Sequence, residues 1–324
     1  MVPPALKGKL AALKKAVDEA IERELEGASP GALYDAAGHL VRAGGKRLRP
    51  AILILAGESA GSPAAADPAP VLSAAAAIEL IHTFTLIHDD IMDRDELRRG
   101  VDAVHVRWGE SAAILAGDTL LGKSLSILGQ CSADPATRLA VVNECARACV
   151  LVCEGQAMDL DFEGRDDVSL EEYWEMAEKK TSSLFTASAA SGALLAGADE
   201  AQVESMRRYG SNLGLAFQAR DDILGVSSTP EVLGKPVGSD VKRTKKTLVT
   251  LHALEHGGTM EELKAREEAG TLVDYLIDTG SMEYADGCAR EHLDRALGAL
   301  DALPEGRART TLIDLTRWLA ERKS

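Results

Sequence analysis

The chain has 324 residues, 46% of them hydrophobic and 27% charged, and 36 basic against 51 acidic side chains give a net charge of −15. That balance belongs to a globular chain and excludes disorder as its main state. The acidic field repels nucleic acid and anionic membrane surfaces, so neither is expected as a partner.

Taken in order, helices are expected over 5–27, 31–43, 47–60, 69–94, 110–130, 135–160, 169–196, 200–224, 243–256, 259–279, 281–301 and 306–322. The first shows the pattern, with Leu6, Leu10, Leu13 and Val17 at spacings of three and four, while alternating strand-like runs are scarce. The 11 prolines leave 71–134, 136–229 and 237–303 free of proline and rich in Ala, Leu, Glu, Lys and Arg. Proline inside a helix costs about 3 kcal/mol and those residues are the best helix formers. The chain therefore reads as all-α, one large helical domain over 1–324.

The most apolar stretch, Val71 to Ile87, is interrupted by Glu79 and His82, so no membrane-spanning helix is expected. The N-terminus turns charged and amphipathic at Lys7 rather than apolar, which gives no secretion signal and points to the cytoplasm. Five cysteines, an odd number, make no disulfide framework and suit a reducing compartment. Cys145, Cys149 and Cys153 recur along one helix face, but their spread of about 12 Å is too long for one tetrahedral zinc, so they read as core residues.

Two acidic clusters stand out. Asp89 and Asp93, one turn apart at the end of an apolar helix with Asp90 between them, repel by nearly 3 kcal/mol at about 6 Å and an effective dielectric of roughly 20. Asp221 and Asp222 end a second apolar helix, again against the macrodipole. Each cluster alone could be a solvated helix end; facing one another they would build an all-oxygen site suited to Mg²⁺ or Mn²⁺, of which Mg²⁺ bridges readily to phosphates. Basic groups occur beside them at Lys46 and Arg49 after Gly44-Gly45, at Arg98-Arg99-Gly100, at Lys179-Lys180-Thr181, at Lys235, and at Lys242 to Lys246. Gly44-Gly45 permits a sharp reversal that aims Lys46 and Arg49 inward.

With Gly155-Gln156, Phe217-Gln218-Ala219-Arg220-Asp221-Asp222, Gly234-Lys235 and Ser239-Asp240 added, these motifs run in order from about Leu40 to Lys246, and the chain resembles the trans-prenyltransferases, the isoprenyl diphosphate synthases. The resemblance is to archaeal-type geranylgeranyl diphosphate synthases in particular. It implies a helical fold around a deep central cavity, a homodimer, and three Mg²⁺ ions, with Mn²⁺ as a substitute, on Asp89, Asp93 and Asp221, supported by Asp90, Asp222 and Asp240. Arg98, Lys180, Thr181, Gln218, Lys235 and Lys245 would hold an allylic diphosphate; Lys46, Arg49, His82 and Arg99 would hold isopentenyl diphosphate. The implied reaction ionises the allylic diphosphate, with Lys180 and Gln218 stabilising the cation, and couples it to isopentenyl diphosphate. Gly225 stands where the family often has a third aspartate, and Thr244 where it commonly has glycine, which leaves the choice between Lys245 and Lys246 open. His88 has no carried-over role and reads as a packed, hydrogen-bonded histidine.

Product length in this family follows from the bulk below the first aspartate cluster, here Phe84 and Thr85. At about 100° per residue Thr85 lies under Asp89 while Phe84 is swung away, so helix geometry leaves open whether Phe84 faces the tunnel or the core. Bulk at that position resembles enzymes with a C20 product; C15 or a longer chain is the alternative. A class I terpene cyclase is the rival enzyme, disfavoured because Gly225 replaces its usual hydroxyl and because it has no use for Lys46, Arg49 and Arg99. A noncatalytic partner subunit is disfavoured because both acidic clusters are intact.

Overall fold

The computed structural model describes residues 3–60, 69–227 and 244–320, and these are almost entirely helical. Lys235, Asp240, Lys242 and Arg243 lie outside the described residues. Helices α1 (Pro4–Leu25), α2 (Gly31–Arg42), α3 (Leu48–Ser59) and α4 (Ala69–Met92) open the chain. A two-residue hairpin, β1 (Leu97–Arg98) with β2 (Val101–Asp102), and the short α5 (Val104–Trp108) lead into α6 (Glu110–Gln130) and α7 (Pro135–Glu163). Then come α8 (Leu170–Ala177), a π-helical turn (Glu178–Ser182), α9 (Ser183–Leu195) and α10 (Glu200–Ser227). The described chain closes with α11 (Leu248–Glu255), α12 (Met260–Glu268), α13 (Leu272–Asp278), α14 (Ser281–Ala299) and α15 (Arg307–Ala320).

The helix starts follow local chemistry. Asp134 caps α7 by accepting from the amides of Ala136 and Thr137, with Pro135 in the first turn where its missing N–H costs nothing. Ser169 and Glu172 form a reciprocal capping box at α8. The helix expected over 259–279 is instead broken into α12 and α13 at Gly270, whose φ of +70° leaves the helical region. The hairpin and the π-turn are also absent from the sequence reading.

Helix α4 is apolar on every side, and such a helix has to be enclosed. Its residues Ala74–Leu80 are buried among α1, α2, α6 and α7 in the first of three apolar clusters. The second joins α3, α9, α10 and α15, and the third joins α8, α10 and α11 to α14. By length and composition alone α4 and α6 reach the size of a bilayer span, a property that the core helix of a globular protein shares. For α4 the burial explains the composition. On α6, Ile114, Leu115 and Leu125 stay exposed. Cys145 is buried as expected, whereas Cys153 is exposed; all five cysteines are free thiols.

Candidate active site

Two neighbouring cavities lie between α4, α7, the π-turn, α9 and α10. The polar one, about 160 Å³, is lined by Asp89, Asp93, Arg98, Asp159, Lys180, Gln218, Asp222 and Lys245. The other, about 400 Å³ and mostly apolar, is a tunnel that includes Phe84, Thr85, Val152, Gln156 and Leu184, with Arg49 and His82 in its wall. Asp89 and Lys180 belong to both and form the boundary.

The π-turn supplies Lys180 and Thr181. Its backbone approaches α7 at Gly155, where a Cβ would come within 2.3 Å of the Lys180 amide nitrogen. Lys180 Nζ thereby reaches Asp159 on α7 (2.6 Å) and Asp89 on α4 (3.5 Å). Lys245 Nζ bonds Asp93 (2.5 Å) and stands 3.5 Å from Asp159. Burial works against charge on Lys180, but Asp89 and Asp159 outweigh it and raise its pKa; Lys245 is raised in the same way by Asp159 and Asp93. Burial would raise Asp159, yet the two ammonium groups hold it below the usual carboxylate range. One ionised carboxylate thus keeps two cations beside each other. Lys245 is the late lysine bonded to the first cluster; Lys246 lines the same cavity without a hydrogen bond at its buried Nζ.

The motif Arg98-Arg99-Gly100 is the hairpin turn. Arg99 and Gly100 take φ of 54° and 77°, the mirror-image turn that suits a two-residue loop. The two guanidiniums diverge: Arg98 Nε donates to Asp90 (2.6 Å) and Arg98 Nη2 to Asp95 (3.2 Å), and Nη2 lies 3.7 Å from Asp89. Arg99 instead donates to Leu40 O (2.7 Å) and Glu79 (3.2 Å). Burial pushes the fully enclosed Asp90 carboxyl up to about 6 despite Arg98.

Arg99 joins a second cationic group. After the reversal at Gly44 and Gly45 (φ 97° and 144°), Arg47 is the residue that turns inward: it is 3% exposed and bonds Glu79 (2.6 Å), Asp18 (2.7 Å) and Val41 O. Lys46, expected to point inward, remains exposed. Arg49 stacks over the Phe185 ring (4.4 Å), and its Nη1 donates to His82 Nε2 (3.2 Å), which requires a neutral imidazole. Enclosure, then Arg49, Arg99, Arg47 and Arg98, hold the His82 pKa well below 6.5. Enclosure also brings Arg49 down to about 10, against the pull of Glu79 and Asp221, so it remains charged at neutral pH. Three guanidiniums around Glu79 and Asp18 leave positive charge for an anion.

On α10, Asp222 is buried and accepts from Tyr173 Oη (2.7 Å), Gln218 Nε2 (2.8 Å) and the Leu248 amide (2.7 Å). It anchors α10 to α8 and α11. Asp221 is only partly buried and close enough to affect Arg49. Gln218 Oε1 accepts from Thr181 (2.6 Å), so both ends of that amide are engaged within the protein.

Among the described residues no three His, Cys, Asp or Glu side chains converge tightly enough to hold a metal alone. The carboxylates still fit Mg²⁺, because Asp89 Oδ1 and Asp90 Oδ2 are buried and accept no hydrogen bond, and Mg²⁺ keeps waters and phosphate oxygens to complete its shell. Phe84 and Thr85 both line the tunnel, and Phe84 is at the same time part of the first apolar cluster. His88 is packed as expected, edge-on to Phe84 (ring centroids 4.9 Å) and 3.2 Å from Ile114 O. Asp159, Arg47, Tyr173 and Glu79 were not singled out by the sequence reading.

Helices delivering paired acids and lysines to the mouth of an apolar tunnel define a class of protein that handles a charged head joined to a hydrocarbon chain. Residues 30–275 match the family model for polyprenyl synthetase. The chain is 44% identical over 311 residues, 95% of each sequence, to a geranylgeranyl diphosphate synthase of Methanosarcina mazei. It is 43% identical to a geranylfarnesyl diphosphate synthase of Natronomonas pharaonis, covering 97% of this chain and 96% of that one. The solved geranylgeranyl pyrophosphate synthetase of Pyrococcus horikoshii superposes with a TM-score of 0.90 at 37% identity, over 98% of this chain and 99% of that one. The chain belongs to the polyprenyl synthetase family.

Proposed function

We propose that this protein condenses isopentenyl diphosphate with allylic diphosphates, head to tail, and releases geranylgeranyl diphosphate. The observation that carries the reading is the junction at Asp89 and Lys180, which line both a charged chamber and an apolar tunnel. A lengthening prenyl chain needs that combination. The names of the relatives support a C20 product, and Phe84 in the tunnel wall supports a floor below the first aspartates. The geranylfarnesyl relative keeps a C25 product as the second reading.

Asp89, Asp93 and Asp221 would hold three Mg²⁺ ions, whose positive charge stabilises the diphosphate as it leaves. Arg98, Lys180, Thr181 and Lys245 bind the allylic diphosphate; Asp159 keeps both lysines aimed at it. Arg49, Arg99 and neutral His82, with Lys46 at the rim, bind isopentenyl diphosphate. Lys235 and Asp240, outside the described residues, are assigned to the allylic diphosphate and the supporting acids. When the allylic C–O bond breaks, its electrons go to the diphosphate, the π bond of isopentenyl diphosphate attacks the cation, and the departing diphosphate takes the proton. The apolar wall keeps water from quenching the cation. The chain acts as one catalytic domain in the cytoplasm, and the exposed Ile114, Leu115 and Leu125 on α6 suit burial against a second copy.

The test is incubation with labelled isopentenyl diphosphate, Mg²⁺ and each allylic diphosphate, with product sizing after phosphatase treatment. A discrete C20 alcohol is the expected result. A C15 product or a longer ladder removes Phe84 as the floor, and a hydrocarbon released from an allylic diphosphate alone makes the protein a cyclase.

A further inference from the structure

Glu79 is 1% exposed on α4, and its Oε1 accepts from Arg47 Nη1 (2.6 Å) and Arg99 Nη2 (3.2 Å). Both guanidiniums also grip the carbonyl end of α2 and the loop after it. Arg99 Nη1 donates to Leu40 O (2.7 Å), Arg47 Nη2 to Val41 O (2.7 Å) and Arg47 Nη1 to Gly44 O (3.3 Å). A helix ends in carbonyls without intrahelical partners, where its dipole is negative, so cations are favoured there. Gly45 lies against the pair: a Cβ at that residue would stand 3.1 Å from Arg99 Cζ and 3.3 Å from Arg47 Nη1. Three residues along the same face of α4, His82 accepts from Arg49 (3.2 Å). One turn of α4 thus governs three guanidiniums. Arg47 has a second carboxylate in Asp18 (2.7 Å), whereas among the described residues Glu79 is the one acid that Arg99 pairs with.

We propose that Glu79 is a positioning residue of the isopentenyl diphosphate site, acting through Arg99, whose guanidinium it holds at the angle from which its other N–H groups reach the diphosphate. The proposal deepens the prenyl-transfer reading and rests on its assignment of Arg99. A buried ion pair is weak evidence of stabilisation, because desolvation offsets the attraction; the role assigned to this one is to fix geometry. That geometry serves an anion: three guanidiniums face the carboxylates of Glu79 and Asp18, and positive charge is left over. Removing the Glu79 carboxylate has two opposed effects. The pocket becomes more positive, which favours an anion, and Arg99 is released to swing away from Arg47 and Arg49, which does not. The second effect wins, because a charge-assisted hydrogen bond is lost once its direction is lost, while Arg47 and Arg49 already supply the field.

The experiment compares full-length wild type, Glu79→Gln, Glu79→Asp, Arg99→Gln and the double variant Glu79→Gln/Arg99→Gln. A non-ionising allylic thiolodiphosphate is titrated by calorimetry with Mg²⁺, and isopentenyl diphosphate is then titrated into that complex. Glu79→Gln should weaken isopentenyl diphosphate at least tenfold and the thiolodiphosphate less than threefold. In turnover it should raise the isopentenyl KM with kcat within threefold of wild type. Glu79→Asp, which keeps the charge on a shorter arm, should fall between Glu79→Gln and wild type, and it carries the comparison if the amide variant does not fold. In the Arg99→Gln background the Glu79 substitution should cost less than threefold more, the mark of two residues acting as one. Additive losses, or equal losses for both ligands, would overturn the proposal by making Glu79 a scaffold residue. Tighter isopentenyl binding in Glu79→Gln would reduce it to a charge balance, and unchanged binding would remove it from the site. Label incorporation by wild type is measured separately. Its absence overturns the prenyl-transfer reading and the substrate named here, and is told apart from a failure at Glu79 by inorganic pyrophosphate titrated in EDTA, which reads the cationic pocket alone.

Discussion

Replacing Gly155 by alanine puts a methyl group 2.3 Å from the Lys180 nitrogen and 2.7 Å from its Cα. Ordinary contact begins near 3.4 Å, so about 1 Å of movement is required. The obstructing atoms are backbone and cannot swing aside. If α7 yields, Asp159 moves with it; if the π-turn yields, Lys180 and Thr181 move. Either way the 2.6 Å Lys180–Asp159 bond is lost or distorted. Overpacking of this kind costs about 1–3 kcal/mol of stability, and a displacement of about 1 Å at a reacting group costs on the order of 100-fold in rate. Gly155→Ala should therefore lower kcat by roughly two orders of magnitude while the helical circular dichroism persists and the melting temperature falls by a few degrees. Steady-state kinetics and a thermal melt measure both. A kcat within threefold of wild type would refute the claim that the contact between α7 and the π-turn sets the position of Lys180.

Three further outcomes follow from the site. Asp159→Asn leaves Lys180 and Lys245 without their shared carboxylate, a loss of about 1.5–3 kcal/mol for a charged hydrogen bond, since Asp89 and Asp93 still face them. Inorganic pyrophosphate should restore more of the lost melting temperature in that variant than it adds to wild type; equal shifts would count against the shared-carboxylate account. His82 has a folded pKa depressed below 6.5, so its contribution to stability is complete above pH 6.5 and is lost as the pH falls toward the folded value. The melting-temperature advantage of wild type over His82→Gln should shrink between pH 7 and pH 5, and an advantage independent of pH would show that His82 is not held neutral. Gly117→Ala brings a Cβ within 2.3 Å of His88 Nε2 and drives that ring against Phe84. Product sizing should shift from C20 toward C15, and an unchanged product would free the tunnel floor from the His88 contact.

The helical class and most of the helices were legible because proline-free runs with three- and four-residue spacing leave little else for the chain to form. The motif residues were legible as residue types, and Asp89, Asp93, Lys180 and Lys245 do come together around one chamber. Asp159 was not, because one carboxylate in an acidic helix carries no mark until Lys180 and Lys245 are brought to it from distant sequence. Arg47 was hidden by its neighbours: only the left-handed backbone at residue 47 (φ 51°) turns it, rather than Lys46, to Glu79. The π-turn left no trace in composition, since it uses the same residue types as an α-helix and the phase shift from one extra residue is lost where α9, which follows, carries small and apolar residues on several sides.

The tight turn at Arg99 and Gly100 joins two sites that the sequence keeps only one residue apart. Arg98 bonds Asp90 and Asp95 at the charged chamber, and Arg99 joins the cationic group at Glu79. A two-residue loop held by a hairpin has little slack, so the two guanidiniums start from a backbone spacing fixed by the Arg98–Val101 pair. If both proposed diphosphate sites fill as assigned, any coupling between them through this loop is reciprocal, each site answering the other by the same factor. On the proposed assignment, the two halves of a carbon–carbon bond would meet cations carried by adjacent residues of one hairpin.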